Sequence, residues 1–183
     1  MKIEKKIALK FTLNHICSNL PAGQFNLHTF LRAYFYSPSF RVLLNHRIGK
    51  HFYFGRGFFL RQISNYYKYA LVTKRSCDIS YHANIGKNLR LPHPFAIVIG
   101  KGVVLGNNVK VFQQVTLGSH GKVGQDFGYP IVGDNTIIYA GATVIGGITI
   151  GANSVVGANS LINKDIPAGS VAFGSPCRIR KIE

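Results

Sequence analysis

Aliphatic residues recur at every sixth position through the second half of the chain. From Val132, steps of six fall only on β-branched residues, namely Ile138, Val144, Ile150, Val156 and Ile162. A period of six fits neither an amphipathic helix nor an alternating strand. It predicts a chain that turns a corner every six residues, so that three faces make one coil of about 18 residues. Such coils stack about 4.8 Å apart, as neighbouring strands do, with the aliphatic side chains inside a prism.

The same period holds upstream, where it is interrupted twice. Steps of six join two further series, Ile79, Ile85, Leu91 and then Ile99, Leu105, Val111, Leu117. Between Leu91 and Ile99 the step is eight, and His93 lies in this slip between two prolines. Extra residues re-aim a side chain, as a bulge does in a sheet, so we expect His93 to point out of the wall. Between Leu117 and Val132 the step is fifteen, and the glycine-rich gap predicts a loop outside the prism.

Residues 1–76 show no period of six and predict a few short helices, with breaks at Pro38, Gly49, Gly55 and Gly57. The fold class is therefore mostly β: a parallel β-helix with an N-terminal helical extension. The expected domains are listed in chain order: a basic, aromatic helical extension over 1–76, a β-helix over 77–172 with an excursion loop at 118–131, and a C-terminal tail over 173–183.

The charge of the chain is strongly positive, with 22 Lys and Arg against 6 Asp and Glu. Residues 1–76 hold 13 of the basic residues and a single acid, Glu4. This balance predicts an anionic partner. Basic residues interleaved with Phe and Tyr suit peripheral contact with an anionic membrane, although a solvated face or a subunit contact explains them equally well. Nucleic-acid binding is not expected, because no recognition motif is present.

Cysteine usage and hydropathy indicate the compartment. Cys17, Cys77 and Cys177 show no metal-binding spacing, and we expect reduced thiols and no metal. We see no signal peptide and no uninterrupted apolar run of about 18–20 residues. The prediction is a cytoplasmic protein, at most peripheral at the inner membrane face.

The period of six, the histidine in the slipped coil, the excursion loop and the terminal "GSPCRI" together resemble the left-handed β-helix acyltransferases. The nearest branch is similar to serine acetyltransferase and includes sugar and surface-polysaccharide O-acetyltransferases. The resemblance covers about 77–181. It implies a homotrimer, with acetyl-CoA in the groove between neighbouring prisms and a histidine that deprotonates the acceptor hydroxyl.

Residue roles follow from the motif positions of this resemblance. His93 is the implied base and Asp78 the carboxylate that orients it, a pairing that suits acyl transfer to a hydroxyl. The implied acetyl-CoA contacts are Gly118, Ser119, Gly121, Lys122, Ala140, Gly141, Gly157, Ala158, Pro176, Arg178 and Lys181. The candidate acceptor contacts are Phe95, His120, Asp126 and Tyr129.

The acceptor is where the sequence departs from serine acetyltransferase. That enzyme is expected to hold a zwitterion with aspartates in the helical region and an Arg–His pair in the loop. Here Glu4 is the only acid before residue 77, Phe127-Gly128-Tyr129 occupy the loop positions, and Pro92 precedes His93. This favours acetyl-CoA-dependent O-acetylation of a neutral sugar hydroxyl on a capsule, O-antigen or exopolysaccharide precursor. Serine O-acetyltransferase and a non-catalytic β-helix scaffold are the alternatives.

Overall fold

The computed structural model describes residues 26–121 and 128–182. It divides the chain into two compact units, Met1–Cys77 and Asp78–Glu183. None of the described helices is both long and apolar enough to cross a bilayer. Cys77 and Cys177 are buried, and neither forms a disulfide within the described residues.

The first unit contains three described helices, α1 (Leu27–Tyr36), α2 (Pro38–Tyr53) and α3 (Phe58–Thr73). Ser37 caps α2, because its hydroxyl accepts a hydrogen bond from the Phe40 amide at 3.2 Å, and Pro38 takes the first helical position. Gly49, expected as a break, lies inside α2. The helix is buried there, so packing offsets the weak helix propensity of glycine.

Positive charge is concentrated in this helical unit. Residues 26–76 carry nine Lys and Arg and no acid. The Nε and Nη2 atoms of Arg47 are buried and find no hydrogen-bond partner among the described residues. Burial lowers the pKa of Arg47 to about 10, and burial followed by the charge of Arg47 lowers the pKa of Lys50. Desolvation, which disfavours the charged form, is the common cause.

The second unit is built from short strands. In chain order they are β1 (Cys77–Ile79), β2 (Asn84–Ile85), β3 (Ile97–Ile99), β4 (Val104–Leu105), β5 (Lys110–Val111), β6 (Thr116–Gly118), β7 (Ile131–Val132), β8 (Ile137–Ile138), β9 (Thr143–Ile145), β10 (Thr149–Ile150), β11 (Val155–Val156), β12 (Leu161–Ile162), β13 (Ser170–Phe173) and β14 (Arg178–Lys181). They form sheet I (β1-β3-β6-β9-β12), sheet II (β10-β7-β4-β2) and sheet III (β14-β13-β11-β8-β5).

Strand pairing confirms the coil of 18 residues. Ile137 faces Val155 in sheet III and Thr143 faces Leu161 in sheet I, both in parallel register at a separation of 18. The six aliphatic residues from Val132 to Ile162 that set the period are at most 1% exposed. They fill the prism as predicted.

Both interruptions of the period appear as changes of register. Asn84 faces Val104, a separation of 20, so two extra residues belong to the first coil. Thr116 faces Thr143, a separation of 27, so nine extra residues follow β6. β14 then turns back and pairs antiparallel with β13, so residues 178–181 of the predicted tail form the end strand of sheet III.

Left-handed backbone marks two of the three corners of the prism. Asn88, Asn108, Asn135 and Asn153 form one column with φ of 57°, 57°, 58° and 56°. The side-chain amides of the first three each donate to the carboxamide oxygen of the next asparagine in the column, at 2.9, 3.1 and 3.1 Å. Asparagine tolerates this conformation better than other residues with a Cβ. A second column consists of Ala96, Gln114, Gly141 and Asn159, with φ of 51–71°.

The described ends of the excursion loop lie against glycines of neighbouring coils. The ring of Tyr129 covers Gly100 and Gly102, where an added Cβ would approach the ring too closely. An added Cβ on Gly146 would meet the His120 ring at 3.3 Å. Both ends of the loop are therefore fixed by packing.

We expect Gly102→Ala to destabilise the protein because its methyl group would overlap the Tyr129 ring. Overpacking of this kind costs about 1–3 kcal/mol of unfolding free energy, which chemical denaturation measures. In a Tyr129→Ala background the same substitution should cost much less, since the ring is gone. Equal costs in the two backgrounds would show that the ring does not rest on Gly102.

Candidate functional site

His93 lies in a bulge at the corner from sheet III to sheet I. Arg90 forms a bridge with Lys110, and the Phe95 carbonyl accepts a hydrogen bond from the Gln114 amide at 2.9 Å. The four residues 92–95 therefore stand opposite only two residues, 112–113, of the next coil. His93 is exposed as a result, and its ring centroid lies 6.3 Å from that of Phe112.

Asp78 is the middle residue of β1. Its neighbours Cys77 and Ile79 are buried at 1% and 0% exposure, whereas Asp78 faces outward. β1 pairs with β3, the strand that follows His93, and the Ser80 amide donates to the Ile99 carbonyl at 2.9 Å. The predicted contact between Asp78 and His93 stays a prediction.

The predicted small residues share the corner with His93. The Gly141 amide donates to the Gln113 carbonyl at 3.0 Å, and the Asn159 amide donates to the Ala140 carbonyl at 2.9 Å. We call this corner the histidine edge and define it by the ranges 92–96, 112–114, 139–141 and 157–159. It brings together His93, Ala140, Gly141, Gly157 and Ala158.

Gln113 is a residue of this edge that sequence reasoning missed. It sits on the rung next to the bulge, and its Oε1 is buried without a hydrogen-bond partner among the described residues. A buried acceptor without a partner is costly, so this amide is a candidate ligand contact. Locating the slip between 91 and 96 would have placed Gln113 beside His93.

The loop residues lie at another corner, from sheet I to sheet II. Strand β6 ends at Gly118, after the chain has crossed sheet I, whereas His93 precedes β3 on the other side of that sheet. We call this corner the loop edge and define it by the ranges 100–102, 118–121 and 146–147. Gly118 and Ser119 are half-buried, and His120 and Gly121 are exposed. Lys122 and Asp126 lie outside the described residues.

The other predicted contacts divide between packing and exposure. Tyr129 is half-buried against Gly100 and Gly102, so its ring serves at least as a packing group. Phe95 is 58% exposed on the histidine edge. Pro176, Arg178 and Lys181 are exposed, and the last two belong to β14.

Within residues 26–121 and 128–182, His, Cys, Asp and Glu form no group of three that fits a metal ion.

Known proteins resemble this chain in both sequence and structure. The family model described as bacterial transferase hexapeptide (six repeats) matches residues 129–164. Serine acetyltransferase 5 of Arabidopsis thaliana is 47% identical over 102 residues, which cover 56% of this chain and 32% of that protein. The structure of soybean serine acetyltransferase apoenzyme aligns with a TM-score of 0.79 and 30% identity, covering 92% of this chain and 69% of that chain.

These similarities overturn the predicted saccharide acceptor. The relatives carry the name serine acetyltransferase, and they support no role in polysaccharide synthesis. The prediction failed because it took the lack of acids in residues 1–76 as the lack of an ammonium site. Charges that meet a ligand are gathered in space, from other segments and other subunits as well.

The match to Arabidopsis serine acetyltransferase 5 spans about a third of the length of that relative. The soybean structure is matched over more than two thirds of its length at 30% identity. Together with the three parallel sheets and the coil of 18 residues, these matches show that the chain belongs to the hexapeptide-repeat, left-handed β-helix acyltransferase family.

Proposed function

We propose that this protein transfers an acetyl group from acetyl-CoA to the hydroxyl of L-serine. The observation that carries the proposal is His93, which the bulge holds outward on an edge of small residues. Relatives of the chain named serine acetyltransferase supply the acceptor. The non-catalytic scaffold is disfavoured, because a purely structural coil needs no bulge that exposes an imidazole.

The proposed reaction uses His93 as general base. An imidazole nitrogen takes the proton of the serine hydroxyl while the hydroxyl oxygen attacks the thioester carbonyl. The tetrahedral intermediate then expels the CoA thiolate, and the imidazolium returns its proton to the sulfur. Asp78 is assigned to orient the ring and stabilise the imidazolium, and backbone amides at the start of the loop are assigned to the oxyanion.

We expect His93→Ala to lower kcat on the order of 10²–10⁴-fold, because the base is lost. Release of the CoA thiol from acetyl-CoA, with L-serine as the sole acceptor, measures the rate. His82→Ala is the matched control, since His82 is also exposed in the same unit. Full activity in His93→Ala would contradict the assignment of the base.

We further propose that the active site is shared between chains of a homotrimer. The histidine edge and the loop edge lie on opposite sides of sheet I, so one chain presents the base and the loop in different directions. A neighbouring prism that contributes its loop edge would complete the site around His93. Lys122 and Asp126 of that loop are then assigned to the CoA phosphates and to the serine ammonium.

The shared site predicts that the active species is a trimer. Sedimentation equilibrium should give about three times the chain mass under assay conditions. Specific activity should fall on dilution through the range in which the trimer dissociates. Unchanged specific activity of a verified monomer would contradict the shared site.

Peripheral membrane contact is a separate proposal for the helical unit. It is supported by nine cations without an acid in residues 26–76 and by exposed aromatic side chains such as Phe58 and Phe59, at 72% and 81%. Vesicles with anionic lipid should float the full chain, and the double variant Phe58→Ser, Phe59→Ser should float less. Equal flotation on neutral and anionic vesicles would contradict the electrostatic part.

A further inference from the structure

A guanidinium in the helical unit is buried without an acceptor. The Nε and Nη2 atoms of Arg47, a residue of α2, are both buried and have no hydrogen-bond partner among the described residues. The N–H bonds of these two atoms point to the same side of the guanidinium and form the fork that binds two oxygen atoms at once. Donors of a charged group are costly to leave unpaired once they are withdrawn from water. The fork of Arg47 therefore requires an acceptor.

The neighbours of Arg47 along α2 are apolar or positively charged. Leu43 lies one turn before Arg47 on the same face of the helix and is 3% exposed, and Lys50 lies one turn after it. Burial, followed by the charge of Arg47, lowers the pKa of Lys50, so the two cations act on each other. On the adjacent face, Phe40 and Leu44 belong to the apolar cluster that α2 forms with α1. This face of α2 thus offers positive charge and no acceptor.

Carboxylates are missing from the described part of the helical unit. Residues 26–76 contain neither Asp nor Glu. Glu4, the one acid before residue 77, lies outside the described residues. A buried charge that lacks a partner destabilises a fold, and a bound ion of opposite sign relieves that cost. An anion taken from solution would supply the two oxygen atoms that the fork of Arg47 requires.

We propose that the helical unit binds a small inorganic oxyanion, of the class of sulfate and phosphate, at Arg47. Two oxygen atoms of the ion accept hydrogen bonds from Nε and Nη2, and the ammonium of Lys50 adds a second positive charge. Arg47 as a whole is half-buried, so the guanidinium lies close enough to the surface for a small ion to reach it. His93 belongs to the other unit, and the inference does not depend on acetyl transfer.

Thermal unfolding of the full chain tests the site, because an ion that binds only the folded state raises the unfolding temperature. Far-ultraviolet circular dichroism follows the helices in sodium sulfate and in sodium chloride of equal ionic strength. Wild type should unfold about 5–10 °C higher when sulfate exceeds its dissociation constant about a hundredfold. Inorganic phosphate should act in the same way. Arg47→Met, which removes the charge and keeps an unbranched side chain, should lose this rise.

The matched control is Arg56→Met, since Arg56 is an exposed arginine between α2 and α3. It should keep the full rise in sulfate. Sulfate also stabilises proteins in general by its exclusion from their surface, but that effect acts on all three proteins alike. The difference between Arg47→Met and Arg56→Met therefore measures the site. An equal rise in wild type and in both variants would overturn the proposal.

A second comparison, in buffer without sulfate or phosphate, separates an anion site from a structural arginine. There Arg47→Met should be at least as stable as wild type, because it removes a buried charge that has no partner. A variant that is less stable than wild type, or that fails to fold, would overturn the proposal, since Arg47 would then have a partner within the protein. If Glu4 is that partner, Glu4→Gln will lower the stability in this buffer, which overturns the proposal as well.

Calorimetric titration with sulfate measures binding directly. Wild type and Arg56→Met should each take up one ion per chain that Arg47→Met does not take up. Failure of wild type to bind sulfate or phosphate more than Arg47→Met does would overturn the site.

Discussion

The left-handed corner is the constraint on which the β-helix depends. At two of the three corners of the prism, a hexapeptide face continues into the next one through a residue with positive φ, a region that most residues with a Cβ avoid. The asparagines from Asn88 to Asn153 take it and bond to one another along the corner. Their ladder aligns each coil with the next. Every outward side chain thus has a defined neighbour on the next coil. Functional side chains can therefore be aligned along the prism.

The candidate functional residues lie where extra residues interrupt the repeat. The two residues added near His93 and the nine added after Gly118 change the register, while the separation of 18 holds in the coils that follow. The first addition turns an imidazole outward. The second builds a loop whose ends are held by Gly102 and Gly146. The two additions lie on opposite sides of sheet I, which is the arrangement that the proposed site shared between two chains starts from.

Sequence periodicity predicted much of this arrangement and missed the rest for identifiable reasons. A step count finds the buried aliphatic residues and both additions, because each inward residue is fixed by its distance from the last. It does not find the stack of Phe112 on Tyr139, since these residues are 27 apart and meet only once the nine-residue addition is placed within the coil. Gly49 was misjudged because burial of α2 outweighs the low helix propensity of glycine.

The acceptor was mispredicted for a reason that the two edges explain. His93, the proposed base, and the small residues belong to the histidine edge, whereas the described ends of the loop belong to the loop edge, where Tyr129 packs on Gly100 and Gly102. The loop sequence on which the saccharide prediction drew is therefore separate from the edge that carries His93. The predicted donor contacts follow the repeat, so a step count along the sequence places them. In the proposed trimer, acceptor contacts come from the loop edge of a second chain, and a step count along one chain does not display them.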